Sequence, residues 1–246
     1  MENNTAPENR RIKKLPELAA PTKAESAVML SWLFVHVIGI PLALSYFFYP
    51  QLTKYLTEGQ IEFAYYAVGV LVLVSCCFRF LRKNFDPIVE NFWYCAIMIG
   101  ACYIGQMLLT AAAGSIIGLI TGELENLNNE AIVQSYRAEA GWLKAAAVFL
   151  APLAEELMFR GGIFANLAVR GKRIWGYAVS MLLFAMYHVW QGAILDPSYL
   201  LYIIQYLPAG FTLCYIYERT GSIWSSVFLH MITNGVALKA LSALSI

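Results

Sequence analysis

FLAPLAEELMFRGGIFA runs from Phe149 to Ala165. Its two ends are apolar enough for a lipid bilayer, yet its middle holds Glu155, Glu156 and Arg160. A charge placed at the centre of a membrane helix is destabilising by about 2.5–3.5 kcal/mol on insertion scales, so such groups persist where they pair, meet water or do chemistry. Whether this stretch is a membrane span decides the fold, and composition answers first. The chain of 246 residues is 59% hydrophobic and 13% charged, with a mean hydropathy of +0.58. Soluble domains carry roughly 25% charged residues. The stretch therefore belongs to a polytopic membrane protein.

Working outward, a span needs about 20 mainly apolar residues. Seven segments qualify: 28–49, 61–80, 92–121, 142–168, 174–190, 199–217 and 222–244. The expected fold is an all-α transmembrane bundle of about seven spans, integral and multi-pass. Residues 1–27 read as a flexible cytoplasmic tail, 28–121 as N-terminal membrane helices, 122–141 as an external acidic loop, and 142–246 as a core of four membrane helices. Gly114 and Gly118 form a GxxxG spacing in the third segment, able to bring two helices close.

Charge sets the orientation. With the N-terminus inside, the tail, Arg79, Arg82, Lys83, Arg170, Lys172, Arg173 and Arg219 place 12 of the 17 Lys and Arg on the inner side. Lys54, Arg137, Lys144 and Lys239 fall outside, and Arg160 lies within a span. That asymmetry follows the positive-inside rule. The net charge of +1 and the absence of a basic stripe set nucleic acid aside as a partner. The five cysteines lie in apolar segments without a CxxC pair, which argues for small core residues.

Glu156 and Arg160 are four apart and share a helical face, with the acid on the favourable N-terminal side. Arginine is permanently charged, so Glu156 is its natural anion. Glu155 points about 100° away around the helix and is left free to act as a base. Pro152 removes a backbone donor and frees the Val148 carbonyl, one turn before the carboxylates. Folding the next hairpin at Gly171 puts Glu155 and His188 at matching depths, roughly 24–26 Å from the turn at 1.5 Å per residue. Phe184 shares the His188 face. In the last span His230 and Asn234 share a face, at roughly 14 and 20 Å from a turn near Gly221.

His36 reads as an ordinary core histidine with nothing to pair with it. Tyr187, Trp190, Tyr202 and Tyr206 read as packing or interface residues that could also line a groove. Gly161 and Gly162 either admit a close neighbour or break the helix. For the ionisable set, three chemistries are open. A hydrolase would use Glu155 to take a proton from water, with imidazole and amide groups stabilising the oxyanion. A zinc site could use Glu155, His188 and His230. A transporter could use the same groups as a proton relay. No HExxH pattern is present.

The ordered set Glu155-Glu156-x-x-x-Arg160, Phe184-x-x-x-His188 and His230-x-x-x-Asn234 resembles the CAAX protease and bacteriocin-processing (CPBP, or Abi) family, which includes the type II CAAX prenyl endopeptidases. The resemblance covers about 100 residues, from near Trp142 to the C-terminus. It implies an intramembrane endopeptidase in which Glu155 and His188 activate water while His230 and Asn234 stabilise the oxyanion, supported by Glu156, Arg160 and Phe184. It implies a metal-free glutamate mechanism, with zinc as the alternative cofactor. Implied partners are a peptide or protein substrate, either lipidated or a bacteriocin or pheromone precursor, and the lipid bilayer. Family members that act in bacteriocin immunity or as scaffolds supply the non-catalytic alternative.

Overall fold

A computed structural model describes residues 16–43, 47–122 and 141–244. Most of the expected tail, and the acidic loop with Glu123, Glu125, Glu130, Arg137 and Glu139, lie outside the described residues. Among the described residues, seven principal helices follow in order: α1 Lys23–Ala43, α2 Glu58–Cys76, α3 Phe92–Thr121, α4 over 141–168, α5 Arg173–Leu195, α6 Ile203–Thr220 and α7 Ile223–Leu244. No strand occurs among the described residues. The protein is an integral, multi-pass helical membrane bundle.

Among the described residues, five helices are long and apolar enough to cross a membrane: α1, α2, α3, α5, and α6 extended to Pro197–Thr220 by its leading 3₁₀ turn. The other two expected spans became α4 and α7. Both carry intramembrane polar groups that lower their hydropathy, and α4 is divided by changes of helical type.

Local signals explain the helix ends. Thr22 and Glu25 form a capping box that starts α1 at Lys23, ahead of the apolar run. Thr57 and Gln60 do the same for α2. Glu25 also takes the Phe80 backbone N–H at 3.0 Å and pairs with Arg79 at 2.5 Å, which ties α1 to the short helix Phe78–Lys83. The turns after α4 and α6 pass through Gly171 and Gly221, whose positive φ of 76° and 71° glycine adopts without Cβ strain.

α4 is the central element, in contact with α1, α2, α5, α6 and α7. All ten residues of Glu156–Ala165 are buried. Two stretches of α4, Ala146–Leu150 and Glu156–Ala165, are wound as π-helix, with the α-helical turn Ala151–Glu155 between them. Pro152 sits at the start of that turn, just after the first wide stretch, where its missing N–H is least disruptive.

Gly161 and Gly162 do not break the helix; they admit α1. A Cβ on Gly161 would stand 2.9 Å from Met29 Sδ, and one on Gly162 would stand 3.0 Å from Met29 Cβ. Gly114 of the GxxxG spacing faces open space, with nothing within 4 Å of an added Cβ.

Candidate active site

The site is built where α4, α5, α6 and α7 meet. Glu156 is fully buried and fully occupied. Arg160 Nη1 lies 3.1 Å from its Oε1, His230 Nδ1 lies 2.9 Å from the same oxygen, and Ser226 donates to Oε2 at 2.5 Å. Arg160 also donates to the Gly210 carbonyl at 3.3 Å and lies over the Phe184 ring at 4.3 Å. Such partners offset the desolvation of a buried ion pair, although Arg160 Nε has no hydrogen-bond partner among the described residues.

Glu155, one residue earlier, is also buried, but its Oε2 has no hydrogen-bond partner among the described residues. His230 Nε2 stands 3.8 Å from that oxygen, beyond hydrogen-bond reach. His230 is therefore wedged between two carboxylates, its Nδ1 on Glu156 and its Nε2 toward Glu155.

His188 lies to one side. Its Nδ1 is 2.8 Å from the Phe184 carbonyl. A carbonyl only accepts, so Nδ1 carries the hydrogen and Nε2 presents a lone pair. Tyr206 stacks on the ring at 4.5 Å, and Phe184 holds it from the other helix turn at 4.5 Å. No hydrogen bond or ion pair joins His188 to Glu155 among the described residues. Asn234 donates to the Ala147 carbonyl at 2.9 Å, inside the first π stretch, and keeps a second amide hydrogen.

Equal depth below the turns pairs Glu155 with His188 and puts His230 shallower. The structure instead brings His230 to both glutamates. Wide turns hold more residues each, so counting 1.5 Å per residue through Glu156–Ala165 overstates the depth of Glu155 below its turn. Among the described residues, no three His, Cys, Asp or Glu side chains, Glu155, His188 and His230 included, form a group that could hold a metal ion.

Two participants escaped sequence reading. Ser226 could have been found by extending the Asn234–His230 stripe one more turn toward the N-terminus. Gly210 carries no such signal, because it acts through its backbone carbonyl. His36 corrects the expectation of an unpaired histidine: Tyr187 Oη lies 2.9 Å from its Nε2, and Tyr65 is bonded to its Nδ1. Tyr187 and Trp190, with Leu30, Phe34, Phe159 and Met186, line an apolar groove of about 280 Å³ between α1 and α5.

Comparison with known proteins falls on the same region. Residues 138–236 match the family model "Type II CAAX prenyl endopeptidase Rce1-like". The Bacillus subtilis (strain 168) protein named "Putative membrane peptidase YdiL" is 27% identical over 144 residues. That match covers 53% of this chain and 55% of the relative, so the chain spans about half its length. No solved structure matches. Residues 138–236 are thus similar to the type II CAAX prenyl endopeptidase Rce1-like family.

Proposed function

We propose that this protein is an intramembrane endopeptidase that hydrolyses peptide bonds of membrane-associated peptides or proteins. The observation that carries this reading is the contrast between adjacent carboxylates: Glu156 is saturated, whereas Glu155 Oε2 is buried, unpartnered and free to take a proton. Glu155 removes one hydrogen from a water as the water oxygen bonds to the scissile carbonyl carbon. The carbonyl electron pair moves onto its oxygen. When the C–N bond breaks, the proton held by Glu155 passes to the leaving amine. His188, with its Nε2 lone pair, assists water deprotonation; the second Asn234 hydrogen donates to the developing oxyanion, and His230, whose Nδ1 already donates to Glu156, joins it when its Nε2 also carries a hydrogen. Glu156 and Arg160 hold His230 in register, and Phe184 packs Arg160 and both catalytic imidazoles. The apolar groove beside Tyr187 receives the membrane-embedded or lipidated part of the substrate.

Glu155→Gln tests the reading. Peptidomics of cells carrying the wild type or this variant is expected to show accumulated precursors, with cleavage reduced about 10²–10⁴-fold, the usual share of a general base. Unchanged cleavage in a folded variant would refute the mechanism and favour an immunity or scaffold role. Purified enzyme treated with a chelator is expected to keep its activity. Loss of activity on chelation with recovery on adding zinc would reverse that assignment.

A further inference from the structure

A cavity of about 820 Å³ opens at the end of the bundle where α4 turns into α5, and none of the proposed catalytic residues lines it. Its walls come from the turn and first residues of α5, and from Phe211 and Tyr215 of α6. The volume is that of a ligand site, roughly 300–1,000 Å³.

The cavity has two zones. The first is cationic. Lys172 and Arg173 line it at the turn. Arg173 is already paired with Glu218, which also accepts from Tyr177 Oη at 2.9 Å. Glu218 is thus neutralised where it stands, and no carboxylate lines the cavity among the described residues. Lys172, and Arg170 on the other side of Gly171, are exposed and form no ion pair among the described residues. Arg219 lies over the ring of Tyr215 at 5.8 Å, and its buried Nε has no hydrogen-bond partner among the described residues. The second zone is apolar. Trp175 is 66% exposed, and Phe211 packs against Tyr177 and Tyr215 with ring centroids at 5.8 and 5.9 Å, so the aromatic wall is continuous.

A water-soluble anion would match the first zone and gain nothing from the second. An apolar peptide would match the second and leave the cations without a partner. An anionic phospholipid matches both. Tryptophan is enriched at the depth of lipid headgroups, and basic pockets between membrane helices bind acidic headgroups. The charge asymmetry of the chain assigns this turn to the inner side, where the leaflet carries anionic lipid. The amino-terminal tail does not compete for the cavity, because Arg10, Arg11, Lys13 and Lys14 outweigh Glu2 and Glu8 and give it the same sign. We propose that this cavity binds an anionic phospholipid. The phosphate sits against Arg170 and Lys172, and the glycerol and upper acyl chain lie along Trp175 and Phe211. The site stands independently of the hydrolytic reading above.

The full-length chain, stripped of lipid in neutral detergent, is titrated with phosphatidylglycerol or phosphatidylcholine, and bound lipid is counted by native mass spectrometry. Phosphatidylglycerol is expected to bind more tightly. Arg170→Gln/Lys172→Gln is expected to weaken it about 30-fold, at about fivefold per cation removed, and to leave phosphatidylcholine unaffected. Arg170→Lys/Lys172→Arg keeps both charges and retains the lipid. Lys54→Gln/Lys144→Gln removes two exposed cations from the opposite side and leaves binding unchanged. Equal weakening in the two glutamine pairs would mean general attraction to a cationic surface and overturns the site. Equal affinity for the two lipids overturns it as well. Inorganic phosphate in large excess is expected to leave phosphatidylglycerol bound; displacement would identify a soluble-anion site and overturn the lipid assignment.

Discussion

α3 and α4 are both long, largely apolar helices and are used in opposite ways. α3 is a regular α-helix of 30 residues that turns large side chains outward: Leu119 is 88% exposed and Leu108 69%. Over Glu156–Ala165, α4 exposes nothing, abandons regular α-helical winding and is surrounded by neighbours. Their apolar residues alone do not separate them, because lipid is as welcoming to leucine as a protein core is. What drives helices together in a membrane is packing of small residues and satisfaction of polar groups. α4 has both, in Gly161 and Gly162 and in Glu155, Glu156 and Arg160. The interior of this bundle is therefore organised around its charges, with apolar surface filling the gaps.

The sharpest way to break the comparison is to remove the cation of α4. In Arg160→Ala, Glu156 keeps Ser226 and His230 but loses its permanent counter-charge, and the Gly210 carbonyl loses its donor. Removing one partner of a buried pair is destabilising by about 3–5 kcal/mol. Thermal and denaturant unfolding in detergent should show that loss together with loss of cleavage. A variant as stable as wild type would mean that the charges do not organise the bundle.

How much of this was legible in the sequence divides along the same line. The helical bundle was, since seven apolar segments foretold where helices run and glycines at 171 and 221 marked their turns. The Glu156–Arg160 pairing was also readable, being local and i,i+4. The π winding was not: ten mostly apolar residues look alike at either helical period, so the depth of Glu155 was overstated and His230 was placed too shallow. The bonds of His36 were hidden for a different reason. They join residues up to 151 positions apart, and tyrosines in an apolar run read as packing until a partner is seen. Sequence patterns report what lies within one helix, whereas this site depends on which helices touch.

The next test concerns that touching. In Gly162→Val, the new Cβ would lie 3.0 Å from Met29 Cβ, a position fixed by the α1 backbone, so the helices must separate. Overpacking of this kind is destabilising by about 1–3 kcal/mol. The loss should appear as a lower melting temperature, and as faster hydrogen exchange in α1 as well as α4. Exchange confined to α4 would show that α1 is not braced by these glycines.

The same exchange on α3 is expected to have the smallest effect. Gly114→Val places its Cβ in open space. Glycine is a poor helix former, and valine regains some backbone rigidity while giving up χ1 freedom, so stability should stay within about 0.5 kcal/mol of wild type in either direction. The contrast with Gly162→Val then isolates the neighbour as the cause, because residue type and substitution are identical. A loss above about 1 kcal/mol at Gly114 would show that α3 is covered after all. Melting measured across a range of protein-to-detergent ratios would reveal the covering: a concentration-dependent loss means a second helix from another copy packs on the GxxxG face, and a concentration-independent loss means another part of the same chain covers it.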